Sequence, residues 1–307
     1  MKAHSLTNTV YLKPGDIIDI VAPSSKCHPS VLGKIRELLD AWGLNCRISD
    51  DIFGESILYA NSDEKRFSHL QYALLNEESK AVWCLLGGYG STKLIPMLNK
   101  LKPPAKSKIF IGFSDTTALH IFLQGQWDWS TIHGPSAYQA SLNKVSVDSI
   151  NLLKKIIFNE GFISYDQITP LNSIAMNNSV ICAPIIGGNL HLIQASLGTA
   201  WQINADDKII FIEEINERAY RIDRALAHLS QVGLFEKTKA ILFGDLIDKG
   251  EPDGKFLVMD TIKEFASQCR LPVLQINNIG HGPINNPIIL GRTAQLSTGE
   301  LYSLEFK

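Results

Sequence analysis

The chain has 307 residues, of which 45% are hydrophobic and 20% charged, so it is long enough for two ordinary domains of a globular protein. Its formal net charge of −2 gives no electrostatic basis for binding nucleic acid or an anionic membrane. The five cysteines include no C-x-x-C pair, so neither a zinc site nor a disulfide framework is predicted. No apolar run is long enough for a signal peptide or a membrane span, and we expect a cytoplasmic protein.

The first half of the chain alternates short apolar runs with helical patterns. Runs that end in polar or glycine-rich loops occur in DIIDIVAPSS, AVWCLLGGYG and KIFIGFSD, and each is followed by helical spacing. This alternation predicts a parallel sheet with helices on its faces, in which ligands bind beyond the carboxyl ends of the strands. We therefore expect the loops at Ser24, at residues 87–90 and at Ser114 to share one edge of the sheet.

The second half of the chain begins after a polar, irregular stretch. Residues 161–183 are predicted to be a crossover linker between a domain of residues 1–160 and a domain of residues 184–307. The second domain opens with a glycine turn and a helix in PIIGGNLHLIQASLGT, then a strand, an acidic turn and a helix in KIIFIEEINERAYRIDRAL. The expected fold class is α/β, with an N-terminal parallel-sheet domain and a smaller C-terminal domain of mixed β structure.

Ser114 lies where a predicted strand turns sharply into a predicted helix. A serine at such a turn has its hydroxyl lifted clear of the backbone, and the amides at the helix N-terminus favour a developing oxyanion. The signature of this nucleophile elbow is G-x-S-x-G, which is matched only in part because Thr116 stands at the last position. From this stretch alone the favoured interpretation is a helix cap, since serine is a preferred N-cap residue.

A serine nucleophile also needs a general base. Among eight histidines, His133 in TIHGP and His281 in NIGHGP each follow an apolar segment and precede Gly-Pro. Each is therefore expected in a fixed turn, where one orientation of the imidazole can be held. Spacing does not choose between them, and either could be a loop histidine bonded to the backbone. His191 is set aside, because a positive charge is unfavourable early in a helix.

The acid candidates lie in FIEEINER. Glu213 directly follows an apolar run and is expected at the carboxyl end of a strand, where an orienting carboxylate is usually found in α/β enzymes. Glu214 and Glu217 are the alternatives. Acidic residues followed by arginines, here Arg218, Arg221 and Arg224, are also typical of a salt-bridged surface.

The glycine-rich stretch GGYGSTK does not match a Walker phosphate-binding loop, because Thr92 stands before Lys93. Glycines near a catalytic serine favour a second oxyanion donor instead, since only glycine lets a backbone N–H approach the substrate so closely. A dinucleotide- or phosphate-binding enzyme is accordingly a weak alternative.

Six stretches taken together resemble the successive motifs of the LD-carboxypeptidases: AVWCLLGGYGSTKLIPML, IGFSDTTALHIFL, TIHGP, PIIGGNLHLIQASLGT, FIEEINERAYRIDRAL and NIGHGPINNPIILG. These are cytoplasmic murein tetrapeptide carboxypeptidases, related to the microcin self-immunity peptidases. The resemblance runs in the same order from about residue 16 to the C-terminus.

The resemblance implies a serine peptidase without metal or cofactor. Its nucleophile would be Ser114 of the GFSD motif and its base His281 of the GHG motif. The orienting acid would be Glu213, although the family more often has Glu-Asp where this chain has Glu-Glu. The oxyanion would be bound by the backbone amides of Gly88 and Asp115.

The resemblance also implies a site in a cleft between the two domains, a homodimer, and release of terminal D-alanine from a murein tetrapeptide. Candidate contacts to the substrate carboxylate are Gly87, Tyr89, Arg221 and Arg224. A microcin-immunity peptidase would instead need aromatic side chains to stack on a nucleotide-like group, for which the candidates are Trp83, Trp127, Trp129 and Trp201. A non-catalytic binder of small peptides should lack one member of the triad, and all three are present.

Overall fold

The computed structural model describes residues 10–161, 163–177 and 180–303. Within these residues the strands are β1 (Ile17–Val21), β2 (Asn45–Ile48), β3 (Ser79–Cys84), β4 (Ile109–Gly112), β5 (Thr131–His133), β6 (Ser164–Pro170), β7 (Ile181–Asn189), β8 (Ile209–Glu217), β9 (Ala240–Asp248), β10 (Val273–Ile276), β11 (Ile288–Leu290), β12 (Thr293–Ser297) and β13 (Gly299–Ser303). The helices are α1 (Val31–Ala41), α2 (Asp63–Leu75), α3 (Ile95–Leu98), α4 (Thr117–Trp127), α5 (Ala137–Ser141), α6 (Val147–Phe158), α7 (Leu190–Ser196), α8 (Ala219–Gln231) and α9 (Val258–Gln268).

Five strands from the N-terminal half of the chain and one strand from near its C-terminus form an open sheet. Its parallel strands follow the order β2-β1-β3-β4-β5, and β11 pairs antiparallel with β5. Successive side chains of a strand point to opposite faces, and here they enter two different hydrophobic clusters: Ala81 and Trp83 join one, Val82 and Phe110 the other. Both faces of the sheet are therefore covered, as the continuous apolar runs of a parallel sheet require.

The C-terminal half forms a closed barrel in the order β10-β6-β13-β12-β7-β8-β9. Strands β7 to β10 pair in parallel, whereas β6, β12 and β13 pair antiparallel. Phe211 of β8 belongs to the same buried cluster as Trp83 of β3, so the barrel packs directly on the open sheet. The predicted fold class, a parallel-sheet α/β part followed by a mixed β part, is confirmed.

The structure corrects three details of the second half. The predicted irregular linker contains β6, whose Tyr165 and Ile168 are buried, and β6 pairs with β10 and β13. The predicted glycine turn is part of β7, where an ideal Cβ on Gly187 would lie 2.0 Å from the Phe211 carbonyl oxygen. Glycine here allows a close backbone approach rather than a turn. The boundaries at residues 161 and 184 stay predictions.

The third correction concerns β8. It was predicted to end at Ile212 and to be followed by an acidic turn, but it continues to Glu217 because β9 continues beside it to Asp248. Glu213 therefore lies within the strand rather than at its end. Register shifts on either side of Glu214 and Ile215 show that the pairing is irregular in this acidic stretch.

Candidate active site

Three loops meet at the carboxyl edge of the open sheet, as predicted, and Asp115 joins them. The buried carboxylate of Asp115 accepts hydrogen bonds from Ser24 Oγ at 2.5 Å and from the Ser91 N–H at 2.8 Å. Ser91 Oγ donates to the Asp115 carbonyl oxygen at 2.6 Å. The Ser25 N–H donates to the Gly87 carbonyl oxygen at 3.2 Å. The elbow and the glycine loop are thus held in a fixed relation.

Ser114 occupies a strained turn between β4 and α4. Its φ of 61° lies in the left-handed region, which costs a non-glycine residue about 1–3 kcal/mol and is typical of functional sites. The cap interpretation is wrong, because the first turn of this helical segment and the start of α4 have no side-chain cap. Ser114 Oγ lies beside the glycine loop, 3.2 Å from an ideal Cβ on Gly87, and makes no hydrogen bond within the described residues.

His281 and Glu213 form a buried pair at the point where the barrel meets the open sheet. His281 lies in the loop after β10, and its Nδ1 donates to Glu213 Oε2 at 2.6 Å. The Glu213 side chain is fully buried, and its other oxygen has no partner among the described residues. The imidazole lies over Phe113, the residue before Ser114, with ring centroids 4.8 Å apart. The structure therefore brings the three predicted triad residues into one region.

The electrostatics of this pair suit a general base. Burial raises the pKa of Glu213, although the charge and hydrogen bond of His281 oppose that shift. Burial would lower the pKa of His281, but the charge and hydrogen bond of Glu213 outweigh it, with Glu214 and Asp245 adding to the effect, so that pKa is raised. A carboxylate in contact with the imidazole stabilises the imidazolium that forms when it accepts a proton.

His133, the other candidate base, is fully buried behind the elbow. Its ring lies 5.2 Å from that of Phe211 and 6.0 Å from that of Phe113. Burial lowers its pKa well below the ordinary range, and neither ring nitrogen has a hydrogen-bond partner among the described residues. His133 is therefore a neutral packing residue.

A second histidine–carboxylate pair was missed by the sequence analysis. His191 Nδ1 donates to Glu214 Oε2 at 2.6 Å, and the His191 N–H donates to the same oxygen at 3.1 Å. Glu214 thus supplies negative charge at the N-terminus of α7, which removes the objection to a charged histidine there. The Asn189 side chain donates to Glu214 Oε1 at 2.8 Å, and the Asn189 N–H donates to Thr117 Oγ1 of α4 at 3.0 Å.

The other predicted site residues fall into two groups. Gly87, Gly88 and Tyr89 lie in the loop beside Ser114, and the Gly88 N–H donates to no acceptor within the described residues. By contrast, Arg221 pairs with Glu217 at 2.6 Å, and Arg224 lies over the Tyr220 ring. No contact joins either arginine to Ser114, Glu213 or His281 in the described part of the chain. Their proposed role in substrate binding stays a prediction.

No group of three His, Cys, Asp or Glu side chains in the described part of the chain could hold a metal ion. A serine on a strained strand-to-helix turn, in the same region as a buried carboxylate–imidazole pair, is typical of the serine hydrolases. Here the parts come from both sheets: the turn after β4, the strand β8 and the loop after β10.

Comparison with known proteins identifies the family. The model of the LD-carboxypeptidase N-terminal domain matches residues 18–134, and that of the C-terminal domain matches residues 183–296. A putative carboxypeptidase of Rickettsia conorii is 40% identical over 297 residues, which cover 94% of this chain and 89% of that protein. The murein tetrapeptide carboxypeptidase of Pseudomonas aeruginosa is 26% identical over 289 residues, which cover 92% and 94%.

The fold is shared with a solved structure of the microcin C7 self immunity protein MccF, with a TM-score of 0.82 at 18% identity, covering 97% of this chain and 99% of that one. The chain belongs to the LD-carboxypeptidase family and is a serine-type peptide hydrolase. The family resemblance seen in the sequence is confirmed.

Proposed function

We propose that this protein hydrolyses the L,D-peptide bond between meso-diaminopimelate, or lysine, and the terminal D-alanine of murein tetrapeptides during peptidoglycan recycling. The observation that carries the proposal is the strained turn at Ser114, next to the Gly87 loop and the His281–Glu213 pair. The name of the Pseudomonas aeruginosa relative supports the choice of substrate. The cytoplasmic location and the homodimer stay predictions.

The reaction proceeds through an acyl-enzyme. His281 takes the proton of Ser114 Oγ as that oxygen attacks the carbonyl carbon of the diamino acid. The backbone N–H groups of Gly88 and Asp115 bind the oxyanion, while Glu213 stabilises the imidazolium. The C–N bond then breaks, and His281 gives its proton to the departing amino group of D-alanine. Water, deprotonated by His281, attacks the ester, and Ser114 recovers its proton as the peptide leaves.

The positions of Ser114 and His281 without substrate are compatible with these steps. Ser114 and His281 share no hydrogen bond in the described residues, yet the imidazole already lies over the neighbouring Phe113 ring. Nucleophile–base contacts are often loose before substrate binds and tighten in the complex. A substrate seated against the Gly87 loop would bring the hydroxyl under the base.

A nucleotide-like substrate finds less support in this chain. The four tryptophans considered for stacking are all buried in the hydrophobic clusters, with 0–9% of their surface exposed: Trp83, Trp127, Trp129 and Trp201. Trp83 also stacks on Trp42 and donates its indole N–H to the Pro135 carbonyl oxygen. None of the four presents a free face to a ligand.

The test is release of D-alanine from L-Ala-γ-D-Glu-meso-diaminopimelate-D-Ala. Wild type should release it, and Ser114→Ala should lower kcat/KM by at least ~10³-fold, because the nucleophile is lost. Ser230→Ala is a matched control, since among the described residues the hydroxyl of exposed Ser230 bonds only the Leu226 carbonyl oxygen of its own helix. Equal release by wild type and Ser114→Ala would remove Ser114 as nucleophile. No release by wild type would remove the murein tetrapeptide as substrate, and a peptidyl-nucleotide would be tested next.

A further inference from the structure

Asp245, which the sequence analysis did not consider, lies in β9 beside the loop that carries His281. The Asp245 N–H donates to the Ile279 carbonyl oxygen at 2.8 Å, and the Asn278 N–H donates to Asp245 Oδ1 at 3.0 Å. The backbone and the carboxylate of one residue thus hold the two positions that lead into Gly280 and His281. The polar residue directly after the apolar run AILFG was the available signal, the same one that singled out Glu213.

The loop also packs tightly on Asp245 on both sides of His281. An ideal Cβ on Gly280 would lie 3.0 Å from Asp245 Cβ and 3.3 Å from Glu213 Oε2, and the φ of Gly280 is +147°. An ideal Cβ on Gly282 would lie 3.1 Å from Asp245 Oδ2. The chain therefore passes between two carboxylates, and glycine permits the approach on each side of the imidazole.

We propose that Asp245 is a positioning residue for His281: it fixes the loop of residues 278–282 and holds a further negative charge near the imidazole, in addition to those of Glu213 and Glu214. The proposal rests on the proposed function, in which His281 is the general base. Misplacement of a base by about 1 Å can cost ~10²-fold in rate, so a clamp on this loop matters for turnover.

The charge of Asp245 should shift the pKa of His281 in one direction. The titratable groups that act on the imidazole are Glu213 and Glu214 on β8, Asp245 on β9 and His133 on β5. His133 is buried and neutral, so the three carboxylates set the charge around His281. Removal of the Asp245 charge should lower the pKa of His281, and the pH below which the base is protonated should fall with it.

Asp245→Asn separates the two roles, because the amide oxygen can still accept from the Asn278 N–H while the charge is lost. NMR titration of ¹³C-labelled histidine, with His281 assigned from His281→Gln, should show its midpoint shifted down by about 0.5–1 pH unit. Asp245→Ala also removes the acceptor of the Asn278 N–H, while the backbone bond to Ile279 remains, and should lower kcat by about 10- to 100-fold with little change in KM. An unchanged His281 titration in Asp245→Asn would overturn the proposal.

Asp248→Asn is the matched control in the same strand. Its carboxylate accepts from the Gly250 N–H at 2.7 Å and the Val258 N–H at 2.9 Å, and within the described residues no hydrogen bond or ion pair joins that carboxylate to the His281 loop. It should leave the His281 titration unchanged, and an equal shift in this variant would also overturn the proposal. Since the NMR titration requires no turnover, it tests Asp245 even if wild type fails to release D-alanine.

Discussion

Two histidine–carboxylate pairs flank strand β8. Their carboxylates belong to the neighbouring residues Glu213 and Glu214. In each pair the imidazole Nδ1 lies 2.6 Å from a carboxylate oxygen. Glu213 faces His281 and the elbow, whereas Glu214 faces His191 at the start of α7. Successive side chains of a strand point to opposite faces, so a shift of one residue along the chain separates the two environments.

The two carboxylates differ in how far their hydrogen-bonding capacity is used. Glu213 has one oxygen without a partner among the described residues, and burial raises its pKa. Glu214 is also buried, which would raise its pKa, but hydrogen bonds from His191, Asn189 and the Ile215 N–H outweigh burial and lower it. Glu214 is therefore a fixed anion that joins β7, β8 and α7, while Glu213, whose pKa is governed first by burial, has the His281 imidazole as its hydrogen-bond partner. The same chemical pair thus suits catalysis on one face of the strand and structure on the other.

Exchanging Glu213 and Glu214 in turn for glutamine should show the difference between the two pairs most clearly. Glu213→Gln should lower kcat for D-alanine release by about 10²–10⁴-fold, because a neutral amide neither stabilises the imidazolium nor fixes the tautomer of His281. Glu214→Gln, its matched control, should lower kcat far less and should instead lower the free energy of unfolding by about 1–3 kcal/mol, since a buried charged hydrogen-bond network is disturbed. Equal losses of kcat in the two variants would show that the pairs do not differ in role.

The pH dependence of kcat/KM should further distinguish the roles of Glu213 and Glu214. The base must be neutral, so wild-type activity should fall as the pH drops through the pKa of His281, which Glu213 holds above its usual value of about 6.5 despite burial. In Glu213→Gln this pKa should fall, and the acidic limb should move to lower pH. In Glu214→Gln the shift should be in the same direction but smaller, because Glu214 acts on His281 only through its charge. An acidic limb that stays in place in Glu213→Gln would contradict the assignment of the base.

The sequence predicted the turn at Ser114, because a turn depends on local structure, although this stretch alone favoured a helix cap over a nucleophile elbow. A strand, a glycine and a helical pattern in succession are sufficient to place Ser114 at a turn, and its φ of 61° agrees. Local spacing did not distinguish His133 from His281, since both precede Gly-Pro. Their difference is tertiary: aromatic rings enclose the former, and a carboxylate from another strand contacts the latter.

The acidic stretch of β8 shows why features that depend on tertiary contacts could not be predicted from the sequence. Glutamates have low strand propensity, so the apolar run was expected to end the strand at Ile212. Pairing with β9 overrides that propensity as far as Glu217. The partner of His191 likewise could not be predicted from the sequence, because Glu214 lies 23 residues further along the chain and reaches the start of α7 from strand β8. The role of Asp245 depends on a loop that begins 33 residues after it.

The smallest expected effect is that of His191→Ala on stability. Glu214, whose pKa is lowered, contributes stability above its unfolded value of about 4.3, and this is lost as the pH falls through its folded value. His191, whose pKa is raised chiefly by its hydrogen bond to Glu214, contributes stability below about 6.5, and this is lost as the pH rises through its folded value. Urea unfolding should therefore show a deficit of about 1 kcal/mol for His191→Ala between about pH 4.3 and 6.5, and a smaller one at pH 9. D-alanine release should persist in this variant, and a deficit independent of pH would mean that His191 contributes packing rather than charge.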